Sequence, residues 1–144
     1  MTLPARPPAR PDPVPWAELV GIDYALNGQD RPVGLNCYGA VREVYRYLHI
    51  DLPRREYEVL TESVIAREAA LWEKIPEAEP YAVAVIDTHN GYHLAVVTPT
   101  MELLHAREGA GVVMSPLMRY VRRIVAYYRY RPGIDPAVAE VLPD

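Results

Sequence analysis

The most regular hydrophobic pattern in the chain lies between residues 37 and 49. Its apolar side chains recur at the spacing of one helix face, and they are Val41, Val44, Tyr45 and Leu48. This spacing predicts a helix from Cys37 to His49, after which Pro53 breaks the chain. A second apolar stripe predicts a helix over residues 57–74, and Trp16–Val20 is expected to form a short helix.

After Pro80 the pattern changes from helical to strand-like. Residues 81–86 and 93–97 are predicted strands, and the Asn90-Gly91 pair between them is a strong hairpin signal. The remaining predicted elements are strands over 102–106, 112–114 and 124–130 and a short helix from Ser115 to Tyr120. Helices followed by an antiparallel meander predict an α+β fold, in which the helix that begins at Cys37 packs on a small sheet.

The N-terminal segment is rich in proline. Six prolines, at positions 4, 7, 8, 11, 13 and 15, argue against regular helix or sheet and predict a flexible arm over residues 1–15. Order is expected to begin near Trp16. A single domain over residues 16–131 and a C-terminal tail over residues 132–144 complete the predicted organisation.

Charge and composition limit the classes of function. The chain of 144 residues and 16.3 kDa has a formal net charge of -4 and a pI of about 5.6, so nucleic acid is not expected as a main partner. The N-terminus lacks the apolar core of a signal peptide, and no apolar run reaches the ~20 residues that span a bilayer. We therefore expect synthesis in the cytoplasm without a membrane span, and delivery by another route if the protein acts outside the cell.

The chain has one cysteine, Cys37, which excludes an internal disulfide. Cys37 follows a glycine-bearing loop and begins the predicted helix, where unpaired backbone N–H groups and the helix dipole favour the thiolate. The thiolate is the nucleophilic form of cysteine, so this position suits covalent catalysis. A buried cysteine that acts only as a small hydrophobic side chain is the alternative.

Two of the four histidines, His93 and His105, are candidate partners of the thiol. His93 opens one predicted strand and His105 lies near the end of the next. If these strands are antiparallel neighbours, the two rings share a face and come within hydrogen-bonding reach. The helix that begins at Cys37 is expected to pack on that face and complete a Cys–His–His row. Histidines that only pack in the sheet are the alternative.

His89 and His93 also form an H-x-x-x-H pair, a spacing that binds zinc when it lies on a helix. Asn90-Gly91 interrupts any helix between them, and one cysteine with scattered histidines is a poor ligand set. No metal and no cofactor are therefore expected. A C-terminal group of arginines suits either an anionic polymer or a solvated surface, and it comprises Arg119, Arg122, Arg123, Arg129 and Arg131.

The candidate residues stand in four motifs. These are Tyr24-Ala25-Leu26-Asn27-Gly28, Gly34-Leu35-Asn36-Cys37-Tyr38-Gly39-Ala40-Val41, His93-Leu94-Ala95-Val96-Val97 and Leu103-Leu104-His105-Ala106. In order and joint spacing they resemble the NlpC-type cell-wall cysteine peptidases, a papain-like family. The segments 37–45 and 105–113 are similar to the branch found in phage tail-tip and prophage tail-assembly proteins.

The resemblance implies that Cys37 is the nucleophile, His93 the general base and acid, and His105 the residue that orients His93. Tyr24 matches the family tyrosine near the oxyanion site, where the backbone N–H of Cys37 would also contribute. It further implies a papain-like fold and hydrolysis of the bond between γ-D-glutamyl and a diamino acid in peptidoglycan stem peptides. A phage or prophage tail, with other tail proteins as partners, is the implied carrier.

Three positions depart from the family pattern. Asn36 replaces the usual Asp before the cysteine, Tyr38 replaces the usual Ser after it, and Ala95 replaces a glycine. Tyr38 is expected to shape substrate access and joins Tyr24 as a candidate substrate-binding residue. Two further hypotheses stay open at this point. One is a non-catalytic tail protein that uses the fold as a docking module, and the other is an acyltransferase or amidase with the same thioester chemistry.

Overall fold

The computed structural model describes residues 12–54, 70–88 and 91–134. The helices in these ranges are α1 (Trp16–Leu19), α2 (Cys37–Tyr47) and α3 (Leu117–Tyr120). The strands are β1 (Gln29–Asp30), β2 (Gly34–Leu35), β3 (Trp72–Ile75), β4 (Val83–Thr88), β5 (Gly91–Val97), β6 (Glu102–Arg107), β7 (Gly111–Pro116) and β8 (Ile124–Tyr130). The two predicted N-terminal helices and the five predicted strands after Pro80 are confirmed, with small differences at their ends.

Six strands form one antiparallel sheet in the order β3-β8-β4-β5-β6-β7. Strands β4 to β7 are consecutive neighbours, which confirms the predicted meander. Strand β8 then returns across the sheet and lies between β3 and β4, a position that no local pattern indicates. Strands β1 and β2 form a separate hairpin within the glycine-bearing segment before Cys37, which was expected to be a loop.

The prediction of a helix over residues 57–74 is wrong at its C-terminal end, because Trp72–Ile75 is strand β3. Trp72 pairs with Tyr130 of β8, and the two rings meet edge-on with their centroids 5.7 Å apart. Trp72 also meets Tyr45 of α2 edge-on at 5.6 Å. These aromatic contacts stabilise the strand and outweigh the local helical pattern. Residues 57–69 of the predicted helix lie outside the described residues.

Helix α2 covers one face of the sheet. Its predicted apolar stripe, from Val41 to Leu48, is buried. The stripe packs on alternate residues of β5 and β6, which are Leu94, Val96, Leu104 and Ala106. Burial of the leucine and valine side chains among them stabilises the fold by about 1.5–3 kcal/mol each. The helix ends before its predicted end at His49, because His49 takes a left-handed conformation with a φ of 61°.

The opposite face of the sheet carries a second, smaller core. It is built from the residues that alternate with those under α2, namely Ala82, Ala84, Ile86, Ala95, Val97 and Leu103. Leu117 and Tyr120 of α3 pack against this core. Because successive side chains along a strand point to opposite faces, His93 and His105 belong to this second face.

The packed chain begins earlier than the predicted start at Trp16. The Asp12 carboxylate accepts hydrogen bonds from the Val14 amide at 2.9 Å and from the Tyr81 hydroxyl at 3.1 Å, and Val14 is buried. The end of the predicted arm is therefore docked on the domain, while residues 1–11 lie outside the described residues. Within the described ranges, no helix has the length and apolar character needed to cross a membrane.

Candidate active site

Cys37 is the first residue of α2, and Asn36 is its N-cap. The Oδ1 atom of Asn36 accepts a hydrogen bond from the Gly39 amide at 2.7 Å, while its Nδ2 atom donates to the Leu26 carbonyl at 3.0 Å. An aspartate could accept the first bond but could not donate the second. Asn36 therefore keeps the helix cap and also ties the first turn of the helix to the preceding loop.

Two glycines bring this loop against the first turn of α2. The Asn36 amide donates to the Gly28 carbonyl at 2.8 Å. A Cβ atom added at Gly39 would lie 2.2 Å from the same carbonyl oxygen, so only glycine allows the approach. The glycines of the two motifs around Cys37 thus have a packing role, which is to hold the start of the helix in place.

Strands β5 and β6 separate beside the start of α2. Their pairing covers Val96 opposite Leu104 and Val97 opposite Leu103, and the same register would bring Leu94 opposite Ala106 if it continued. The backbone N–H of Leu94 lies close enough to the Cys37 sulfur to lower the pKa of the thiol. Since Leu94 follows His93, this contact brings the thiol to the part of β5 that carries His93.

His93 and His105 meet, as the sequence predicted. Nε2 of His93 lies 2.8 Å from Nδ1 of His105, and the ring centroids are 5.0 Å apart. The chain of hydrogen bonds continues, because Nε2 of His105 lies 2.9 Å from Oγ of Ser115. Both His105 and Ser115 are buried, and the ring of Tyr120 packs edge-on against His105 at 5.3 Å.

The predicted placement of α2 on the same face as the histidines is wrong. The helix packs on the face of Leu94 and Leu104, whereas His105 contacts Tyr120 of α3 on the other face. The cause is strand alternation, which sends the side chains of His93 and Leu94 to opposite sides. The thiol lies at the N-terminal end of the helix, near the backbone of Leu94, the residue after His93.

Burial controls the charge of the site. It raises the pKa of Cys37, although the backbone N–H groups of Leu94, Tyr38 and Cys37 itself act in the opposite direction. Burial also lowers the pKa of His93 to about 4 and that of His105 to about 3. Desolvation therefore outweighs the helix N-terminus, which was expected to favour a thiolate. At neutral pH these shifts favour the neutral thiol and the neutral form of both imidazoles.

Arg107 adds a positive charge near both rings. It stands two positions after His105 at the exposed end of β6, so its side chain leaves the same face of the sheet. Its charge lowers the pKa of His93 in addition to burial, and it lowers the pKa of His105 in addition to burial and the charge of His93. The sequence interpretation did not identify this residue.

The two candidate substrate-binding tyrosines lie near the start of α2. Tyr24 is partly buried, bridges to Leu35 and packs against the core beneath α2. Tyr38 is partly buried too, and its hydroxyl donates to the Pro53 carbonyl in the segment after the helix. A contact between either side chain and a substrate stays a prediction.

Among residues 12–54, 70–88 and 91–134, no three His, Cys, Asp or Glu side chains are grouped so that they could hold a metal ion. His89, one member of the H-x-x-x-H pair, lies outside these ranges. Of the C-terminal arginines, Arg129 forms ion pairs with Glu73 and Glu79, which is the behaviour of a solvated surface.

Ser115 is the site residue that the sequence interpretation missed. The Ser115-Pro116 pair predicts the start of a helix, whereas Ser115 lies within β7, opposite Leu103 of β6. This register sets it diagonally beside His105, which pairs with Val113. Only the strand register reveals the contact, because His105 and Ser115 are ten positions apart in sequence and a turn lies between them.

No family model and no curated protein matches the sequence. Among solved structures, the fold is similar to that of a protein from Staphylococcus aureus subsp. aureus Mu50, described as "similar to lipoprotein, NLP/P60 family". The TM-score is 0.57 and the sequence identity 18%, and the match covers 78% of this chain and 38% of that chain. The likeness shows a shared fold of helices on an antiparallel sheet, and this chain spans less than half of the neighbour's length.

Proposed function

We propose that this chain is a cysteine endopeptidase that hydrolyses amide bonds in peptidoglycan stem peptides. The observation that carries the proposal is the arrangement at the start of β5. There the backbone N–H of Leu94 is close enough to the Cys37 sulfur to lower the pKa of the thiol, and the preceding residue, His93, is hydrogen-bonded to His105. A nucleophile, a base and a residue that orients the base are the three parts that thiol-dependent acyl transfer requires.

The reaction would begin with proton transfer from Sγ of Cys37 to Nδ1 of His93. Nε2 of His93 is occupied by His105, so Nδ1 is the nitrogen left for the thiol. Both groups are neutral at rest because each is desolvated. The thiolate and the imidazolium form together, and their attraction in a site of low dielectric offsets the cost of burying the two charges.

The thiolate then attacks the carbonyl carbon of the substrate amide. The oxyanion that forms would accept hydrogen bonds from backbone N–H groups at the start of α2, with the Cys37 amide as the main donor. The proton held on Nδ1 of His93 passes to the departing amine, and water hydrolyses the thioester with His93 acting as base. Tyr24 precedes Cys37 in the chain and Tyr38 directly follows it, and these two side chains are the proposed substrate contacts.

The proposed substrate is the amide between γ-D-glutamyl and a diamino acid. Its support is the four-motif resemblance to the NlpC-type cell-wall peptidases together with the fold shared with the Staphylococcus aureus neighbour. Delivery by a phage or prophage tail is proposed on the sequence resemblance alone, in segments 37–45 and 105–113. Cosedimentation of the protein with purified tails would test that part separately.

The test uses purified muropeptides and mass spectrometry of the products. We expect the native chain to release a diamino acid-containing fragment, and Cys37→Ala and His93→Asn to lose at least 100-fold in rate, since base catalysis and the nucleophile are both required. His49→Asn is the matched control, because His49 is an exposed histidine beyond the end of α2. Cleavage by Cys37→Ala at the native rate would reject the proposal.

A non-catalytic docking protein is the second candidate. The raised pKa of Cys37 favours it, because a protonated thiol is a poor nucleophile. The rate of Cys37 alkylation against pH separates the two candidates without a substrate. A rate at pH 7 that falls in His93→Asn but not in His49→Asn supports the peptidase, whereas a slow rate that is the same in all three proteins supports the docking module.

A further inference from the structure

The hydrogen bond between His105 and Ser115 is not used by a Cys–His–His triad. Oγ of Ser115 lies 2.9 Å from Nε2 of His105, and Nδ1 of the same ring lies 2.8 Å from Nε2 of His93. The site is therefore a chain of three side chains beyond the thiol. It ends at a hydroxyl that is 2% exposed.

The direction of the hydrogen bonds in this chain decides which nitrogen of His93 can act as a base. A neutral imidazole has one N–H donor and one acceptor. If Ser115 donates to His105, then His105 donates to His93, and Nδ1 of His93 already carries a proton. If Ser115 accepts from His105, then His93 donates to His105, and Nδ1 of His93 has a free lone pair.

Protonation of His93 by Cys37 decides between these two hydrogen-bond directions. When His93 takes the proton of Cys37, both of its nitrogens are donors, so Nδ1 of His105 must accept. The single proton of neutral His105 then stands on Nε2 and requires an acceptor of its own. Within the described residues, Ser115 Oγ is the hydrogen-bonding partner of that nitrogen, and the surrounding core of Leu103 and Tyr120 is mainly apolar.

We propose that Ser115 is a positioning residue which, as the terminal acceptor of the chain, holds His105 in its Nε2–H tautomer and so presents Nδ1 of His93 as the base. The inference rests on the proposed Cys–His chemistry but not on the identity of the substrate. Removal of the hydroxyl leaves a buried N–H donor without a partner whenever His93 is protonated, which disfavours the thiolate–imidazolium pair.

The test combines thiol reactivity with the tautomer of His105. In Ser115→Ala, we expect Cys37 alkylation at pH 7 to slow by about 10- to 100-fold, the factor that corresponds to an unsatisfied buried donor. NMR of the histidine ring nitrogens should show His105 as the Nε2–H tautomer in the native protein and as the Nδ1–H tautomer in Ser115→Ala. Ser115→Thr keeps a hydroxyl and should restore both readouts.

The matched control is Thr98→Val, which deletes a buried hydroxyl at the end of β5 that bonds to Thr100 and to the Glu102 amide rather than to a histidine. It should lower the thermal midpoint without changing the alkylation rate. An Nδ1–H tautomer of His105 in the native protein would overturn the inference, and so would an unchanged alkylation rate in folded Ser115→Ala. The native tautomer decides the question even if Ser115→Ala does not fold.

Failure of this inference can be distinguished from failure of the proposed function. A protein that shows the expected tautomers and the Ser115-dependent alkylation but cleaves no muropeptide keeps the inference and loses the proposed substrate. Native cleavage that persists unchanged in folded Ser115→Ala keeps the proposed function and rejects the role of Ser115.

Discussion

The two faces of the central sheet are built from the same strands but have different properties. The face under α2 is apolar, with Leu94, Val96 and Leu104 packed against the helix. The opposite face places two histidines and a serine among small apolar residues and covers them with a helix of four residues. The comparison teaches that one strand can contribute apolar side chains to a core on one side and polar, hydrogen-bonded side chains on the other, because its side chains alternate.

The largest expected effect concerns the face under α2. Leu104→Ala should lower the free energy of unfolding by about 2–5 kcal/mol, since Leu104 is buried to 1% exposure and its truncation leaves a cavity. Chemical denaturation measures the change. The alkylation rate of the folded variant should stay native, because Leu104 points away from the histidines.

The control for this variant is Met118→Ala, at an exposed side chain of α3. It should change the free energy of unfolding by less than about 0.5 kcal/mol. The prediction is contradicted if folded Leu104→Ala loses as much thiol reactivity as His93→Asn. In that case the face under α2 would contribute to reactivity as well as to stability.

Acidification should weaken the histidine face. The pKa values of His93 and His105 are lowered by burial to about 4 and about 3, so between pH 6.5 and pH 4 the unfolded chain binds protons that the folded chain does not. Stability contributed by the neutral rings is therefore present above pH 6.5 and is lost as the pH falls. If the unfolded chain binds one to two more protons than the folded chain, the free energy of unfolding falls by roughly 1.4–2.7 kcal/mol for each pH unit of acidification.

Denaturation at pH 7, 6 and 5 measures this slope. The slope should decrease in His105→Asn, which removes the fully buried ring, and should remain in His49→Asn, which removes an exposed one. Equal slopes in the native protein and in His105→Asn would show that acid sensitivity arises elsewhere, for example in carboxylates.

The smallest expected effect is that of Arg107→Gln. Loss of this exposed charge should raise the pKa of both histidines, because Arg107 lowers both, and so should increase Cys37 alkylation at pH 6. Added salt should also increase Cys37 alkylation of the native protein at pH 6, since salt screens the exposed charge of Arg107. Alkylation that slows in Arg107→Gln would instead indicate that Arg107 organises the site.

Much of the fold follows from local pattern. The 3.6-residue repeat from Val41 to Leu48 predicted α2, and alternation with the Asn90-Gly91 signal predicted the meander. The His93–His105 contact followed, because two neighbouring strands bring residues near their ends together. Trp72–Ile75 was misjudged, since its strand depends on Tyr130, a residue far away in sequence.

The sequence by itself determined which side chains are candidates for chemistry and which elements hold them. Periodicity is a local property, and Cys37, His93 and His105 are placed on their elements by residues close to them in the chain. Only the tertiary structure decided the faces, the gap between β5 and β6, the contact of Ser115 with His105 and the neutral resting state. These depend on strand register and on burial, and burial is set by the packing of segments distant in sequence.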